Sequence, residues 1–140
     1  MNIESNTVEI STQPAMVGLQ YISNTLHLNL ISKWFDLILS GEKKEEYREI
    51  TSYWINRLTW HEFHKLTPNQ VFYKYIDGFD VLKRNHDFIT FSNGYSKNRR
   101  QFIIEFKSMK IDYGESKWGA IPYHKYFVLQ LGNIISSNCC

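Results

Sequence analysis

A chain of 140 residues and 16.7 kDa, 43% apolar and 21% charged, matches one folded domain and excludes low-complexity disorder. Its formal charge of +2 excludes a polycationic binder, so any affinity for a polyanion has to come from a local patch. Charge is unevenly placed, with a net −3 over residues 1–64 and +5 over residues 65–140. Cys139 and Cys140 are adjacent and cannot build a disulfide framework, so a reducing, cytoplasmic setting is expected. No basic-then-apolar leader and no apolar run approaching 18 residues is present, which argues against secretion and membrane spanning.

Residues 1–22 are rich in Asn, Ser, Thr and Gln and read as a mobile lead-in, with the domain over 23–135 and a disordered tail at 136–140. Leu26, Leu28 and Leu30 alternate with His27 and Asn29, the period of a strand. At Ser32 the period changes, with Trp34, Leu37 and Ile38 on one side; Ser32 as N-cap and Gly41 beyond the C-terminus predict a helix over 33–40. Thr51 is placed to cap a second short helix that turns Trp54, Ile55 and Leu58 inward, and Thr67-Pro68 starts a third. Strand patterns return at Phe88 to Phe91, at Gln101 to Phe106 with pairing through Ile111, and at Tyr126 to Leu131. Gly94, Gly114, Gly119 and Gly132 fall between or beside them, as turns require. The pattern predicts an α+β domain with a small, mostly antiparallel sheet or β-barrel and flanking short helices.

One segment carries chemistry. From Gly41 the chain reads Gly-Glu-Lys-Lys-Glu-Glu-Tyr-Arg. If residues 44–48 are extended, Lys44, Glu46 and Arg48 share one face and Glu45 and Tyr47 the other, with Lys43 at the turn after the helix. Such a cluster can orient a polar ligand: the guanidinium forks onto phosphate or a base edge, and the carboxylate accepts from an exocyclic amine. Alternating charges describe a solvated face equally well.

Gly41, Lys43, Glu46 and Arg48 fill the four fixed positions of Gly-x-Lys-x-x-Glu-x-Arg, and the segment resembles the signature of the ASCH domain family. Phe91-Ser92-Asn93-Gly94-Tyr95, Trp118-Gly119-Ala120 and the run from Tyr126 to Gly132 resemble a phage-related branch of that family. The resemblance covers about residues 25–135 and implies a PUA-like barrel with a cleft beside the motif that binds RNA or nucleotide-like ligands. Binding residues would then be Lys43, Glu46, Arg48, Asn93, Tyr95, Lys97, Arg100 and Trp118. Lys97, Arg99 and Arg100 beside Tyr95 make a basic, aromatic turn suited to phosphates and stacked bases, or a solvated hairpin tip. Trp118 also suits core packing beside Gly119, which its pattern favours over ligand stacking.

Some bacterial members of the family are amidohydrolases that remove an acyl group from the exocyclic amine of acetylated cytidine, and their motif lysine maps onto Lys43. Glu46 occupies the place of their nucleophilic threonine. A carboxylate there has no hydroxyl to acylate and favours the charged ammonium, so catalysis by Lys43 and Glu46 would need water activated by Glu46.

No metal or cofactor is expected. His61 and His64 lie three apart without the spacing of the His-Glu-x-x-His zinc site, and Walker, Gly-x-Gly-x-x-Gly and Gly-x-Ser-x-Gly patterns are missing from the sequence. A third alternative is a protein-interaction domain presenting Phe72, Tyr73, Tyr75 and Phe79, residues that would otherwise pack on the sheet.

Overall fold

A computed structural model describes residues 24–138. In chain order the elements are β1 (Thr25–Leu30), α1 (Ser32–Leu39), β2 (Glu45–Glu49), α2 (Ser52–Leu58), a 3₁₀ turn at His61–Phe63, α3 (Pro68–Ile76), β3 (Phe88–Asn93), β4 (Gln101–Tyr113), a second 3₁₀ turn at Ser116–Trp118 and β5 (Lys125–Ser137). The lead-in expected at residues 1–22, together with Cys139 and Cys140, lies outside the described residues.

The strands form one mixed sheet in the order β1-β3-β4-β5-β2. β1 runs parallel to β3, while the other three pairs are antiparallel. This is the α+β, mostly antiparallel arrangement expected from the sequence, curled into a half-barrel. Its alternation puts Leu26, Leu28, Ile89, Phe91, Phe102, Phe106, Phe127 and Leu129 inside. Phe35 and Ile38 of α1, Ile55 and Leu58 of α2 and Val71 of α3 close over them. Phe102 is the hinge of this packing, 4.8 Å from Phe35 and 5.6 Å from Phe91 between ring centroids, separations at which aromatic pairs attract.

Irregular pairing produces the curl. The β4–β5 register shifts between Ile103 and Ile104, between Ile104 and Phe106, and between Phe106 and Ser108, and bulges of this kind bend a ladder and raise its twist. Gly94 and Gly119 do turn the chain, at φ +82° and +98°. Gly132 does not: it lies inside β5 at the bulge, where a Cβ would come within 2.5 Å of Glu105 Oε1. That carboxylate accepts the Asn133 N–H at 2.7 Å, satisfying a donor that the irregular ladder leaves over. The β5 strand continues to Ser137, two residues beyond the expected domain end at 135, because Ser136 and Ser137 still pair with Ile103 and Phe102.

Helix starts follow local chemistry. Thr51 accepts from the Trp54 N–H, and Thr67 with Gln70 forms a reciprocal capping box behind Pro68. Ser32 departs from expectation: α1 begins on it, with Ile31 in the capping position, because the Ser32 hydroxyl donates instead to Asn93 Oδ1 at 3.2 Å.

The free edge of β1 is met by one side chain from β2 and one from α2. Arg48 Nη2 donates to the Asn29 carbonyl at 2.9 Å and Arg57 Nη2 to the His27 carbonyl at 3.3 Å. Two guanidinium groups thus occupy edge carbonyls that would otherwise template another strand.

Candidate functional site

Gly41, at φ +86°, ends α1 and reverses the chain. The Lys43 N–H then donates to the Leu37 carbonyl at 2.9 Å, which sends its side chain inward to 2% exposure. Its ammonium donates to Glu46 Oε1 at 2.7 Å and to the Glu45 carbonyl. The second oxygen of Glu46 accepts from Arg48 Nη2 at 2.9 Å. One carboxylate therefore bridges two cations in a buried, net-positive cluster. Burial pushes the Lys43 ammonium below the usual lysine range, and the Glu46 charge opposes that shift.

The expected alternation holds for β2 itself, with Glu46 and Arg48 on the inner face and Glu45 and Tyr47 on the outer. Lys44 breaks it, being exposed, because the strand begins only at Glu45 and the period of two does not reach back into the turn. Lys43 takes the inner place that the spacing assigned to Lys44.

Glu46 opens into a cleft of about 210 Å³. Trp34, Tyr47, Trp118 and Tyr126 supply its aromatic lining, and Glu49 adds a second carboxylate. Gly119 is required here: its φ is +98°, and a Cβ would fall 2.7 Å from Trp34 Cζ2, so backbone lies flat against the indole. The Lys43 ammonium stands 5.6 Å from the Trp34 ring centroid and 5.2 Å from that of Tyr47, within cation–π range of both. Tyr47 donates to Glu45 Oε1 at 2.8 Å and accepts the Glu115 N–H at 2.9 Å, and burial pushes its phenol upward, so it stays protonated. At the rim, His124 Nε2 lies 2.7 Å from Glu49 Oε1. Tyr123 beside it is 94% exposed with φ +63°, a strained conformation of the kind that clusters at functional loops. Trp118 also borders a second, larger cleft of about 440 Å³ with Lys44, Glu45, Lys107 and Gln130.

Near Arg48 two buried polar atoms have no hydrogen-bond partner, Arg48 Nε and Asn29 Oδ1. Each leaves a desolvated group unmet, a costly state in a folded protein.

The structure brings Lys43, Glu46 and Arg48 together and puts Trp118 at the adjoining cleft. No residue of the β3–β4 turn lines that cleft. Arg100 is held by Asp36 at 2.8 Å and by Asn93 Oδ1 at 2.9 Å, and its guanidinium lies 4.5 Å over the Phe35 ring. Asn93 donates in turn to the Leu30 carbonyl at 3.1 Å. These contacts run to α1 and β1, so both residues fasten the turn to the fold. Tyr95, at 85%, and Lys97 are exposed at the tip of the turn. Sequence reasoning missed Trp34, Tyr47, Glu49 and Tyr126 as cleft residues. Trp34 looked like core in its helical pattern; the available signal was Gly119 beside Trp118, a glycine that a left-handed turn and a close neighbour both demand.

Elsewhere, the His61 and His64 rings pack edge to face at 5.4 Å while His64 Nε2 meets the Thr59 carbonyl. Among the described residues no cluster of three or more His, Cys, Asp or Glu could hold a metal ion, and no helix is long and apolar enough to cross a membrane. Phe72 and Tyr75 pack on the core, whereas Tyr73 and Phe79 are exposed. No protein-family model, curated protein or solved structure matches the chain.

Proposed function

We propose that the protein is an RNA- or modified-nucleotide-binding module of the ASCH, PUA-like type, taking one unpaired base into the cleft beside the Gly-x-Lys-x-x-Glu-x-Arg segment. The observation that carries this reading is a Glu46 carboxylate fixed by Lys43 and Arg48 at the edge of a cleft lined by Trp34, Tyr47, Trp118 and Tyr126. Aromatic faces stack on any base, at about 1–3 kcal/mol each. A carboxylate that cannot rotate discriminates among bases, because it accepts from the donor groups on a base edge, exocyclic amines among them, and rejects edges that present only acceptors. Glu49 extends this preference for donor groups.

A small amidohydrolase acting on acylated cytidine-type nucleosides is the second reading, favoured by one observation: the lowered proton affinity of Lys43, which suits a general base. Against it, the Lys43 ammonium is committed to Glu46 and the Glu45 carbonyl.

The test is a titration of the protein with single-stranded RNA, duplex RNA, DNA and a panel of acylated and plain nucleosides at two salt concentrations, with product analysis of the nucleosides. Binding of unpaired RNA or of nucleosides, without turnover and lost in Trp118→Ala, is the expected result. Turnover abolished in Lys43→Ala would replace it with the amidohydrolase. Failure to bind any member of the panel would remove both.

A further inference from the structure

Trp54 is shared by two guanidinium groups. Arg48 of the buried cluster stacks 4.9 Å from its ring centroid and Arg57 stacks 5.2 Å from it, while Tyr53 meets Trp54 edge-on at 4.9 Å and is 60% exposed. Beyond Arg57 lie more basic groups. Lys83 is fastened beside α2 through its backbone N–H to the Leu58 carbonyl, and His86 feels the charges of Lys83, His27 and Arg57. The carboxylate facing His86 is Asp87, which accepts from Asn24.

Arg57 and Lys83 differ from the other cations near β1. Arg48 and Arg100 each have a carboxylate within ion-pair distance, and among the described residues neither Arg57 nor Lys83 has one. Burial and the like charges of Lys83, His27 and Arg57 depress the proton affinity of His86. Burial itself attracts no anion, but the neighbouring Lys83 and Arg57 charges do. Alternating cations and an exposed ring suit a flexible strand whose bases can splay onto aromatic faces, which duplexes and lipid headgroups do not offer.

We propose that Arg57, Lys83 and His86 form a phosphate track for single-stranded RNA, with Tyr53 and Trp54 as its stacking platform, leading along α2 toward Arg48 and the aromatic cleft. The inference rests on the RNA-binding reading above and names the surface that would hold the backbone. It moves that role from the Lys97–Arg100 turn to α2.

The test measures binding of a fluorescent 12-nucleotide single-stranded RNA against salt, and of single nucleosides by tryptophan fluorescence, for the whole chain. Arg57→Gln with Lys83→Gln is expected to weaken RNA binding by about tenfold or more and to reduce the salt slope by about 1.4, the counterions of two single-strand phosphates. Nucleoside binding stays unchanged. Lys83→Gln alone leaves the Arg57 bond to β1 intact and is expected to remove about half of that slope, so loss of folding cannot mimic the effect. Unchanged RNA affinity in these variants, with Trp118→Ala still losing nucleosides, overturns the track and leaves the cleft standing. RNA binding lost in the double variant but kept in Trp118→Ala supports the track and removes the cleft. If the unaltered protein ignores RNA but binds anionic phosphatidylserine vesicles, the track is overturned in favour of a lipid surface; no binding to either overturns it outright.

Discussion

Lys43 and Lys83 illustrate two uses of one residue type. Lys43 is 2% exposed, bonded to a carboxylate and a carbonyl, and its charge is balanced from within the fold. Lys83 stands among other positive groups with no carboxylate in ion-pair reach among the described residues, as does Arg57, whose hydrogen-bond partners are the neutral Tyr53 hydroxyl and His27 carbonyl, while Arg48 and Arg100 are paired with carboxylates. The spacing of charges along a chain reveals which of them can converge; their partners decide which remain free to meet a ligand. Charge at the motif is held against a carboxylate beside a cleft, whereas the charge of Arg57 on α2 meets only neutral partners.

The comparison breaks most readily at Glu46. Glu46→Ala strands Lys43 and Arg48 without their shared acceptor, and a loss of about 3–5 kcal/mol is expected by urea denaturation, because an uncompensated buried charge is far more costly than a removed pair. Lys43→Met combined with Glu46→Leu should recover only the Lys43 part of that loss, because Arg48 still lacks its carboxylate. A cost under about 1 kcal/mol for Glu46→Ala would mean that the cluster is as open as the α2 surface.

Gly119→Ala comes next. It forces a left-handed backbone on an L-residue and drives a methyl into Trp34, with an expected loss of about 2 kcal/mol. Cleft ligands should weaken while RNA contacts to α2 persist, which sharpens the division between the two regions. Arg100→Ala removes bonds to Asp36 and Asn93 and is expected to lower stability by about 1–2 kcal/mol. Its RNA affinity, measured on folded protein, should hold. Lys97→Ala, at the exposed tip, should leave stability within about 0.5 kcal/mol. A large loss of RNA affinity in either variant would return the phosphate role to the turn.

The smallest effect concerns pH. Because the folded protein holds His86 below its ordinary value of 6.5, the unfolded chain binds the proton first as pH falls. Stability then declines below about pH 6.5, and His86→Gln should remove that part of the decline. Bound RNA phosphate favours the charged imidazole, so RNA affinity moves the opposite way and rises in the same interval. Two opposed pH profiles, both flattened by one substitution, would tie His86 to the exposed region.

Much of the architecture was legible because its causes are local. Alternating leucines made β1, Thr51 and Thr67-Pro68 started helices, and Gly41 stopped one. The inward turn of Lys43 was less legible, since period two assigned its place to Lys44 and only the late start of β2 corrects that. Arg100 and Asn93 looked like ligand groups because polar residues on a turn carry no mark of the partners they will find in α1 and β1. Tyr47 and Tyr126 gather at the cleft through pairing between strands distant in sequence, which no local pattern encodes.

Strand order also bears on the sequence of events in folding. β3, β4 and β5 follow one another and pair as neighbours, whereas β1 meets β3 through contacts 63 residues apart and β2 meets β5 through contacts 85 residues apart. Loop-closure entropy penalises such distant pairings, so the hairpins form first and the two edge strands dock onto them. A ribosome that has delivered the Gly-x-Lys-x-x-Glu-x-Arg segment has not delivered its site. Glu45 pairs with Gln130, and Lys43 and Glu46 stay in water until nearly the whole domain has been made.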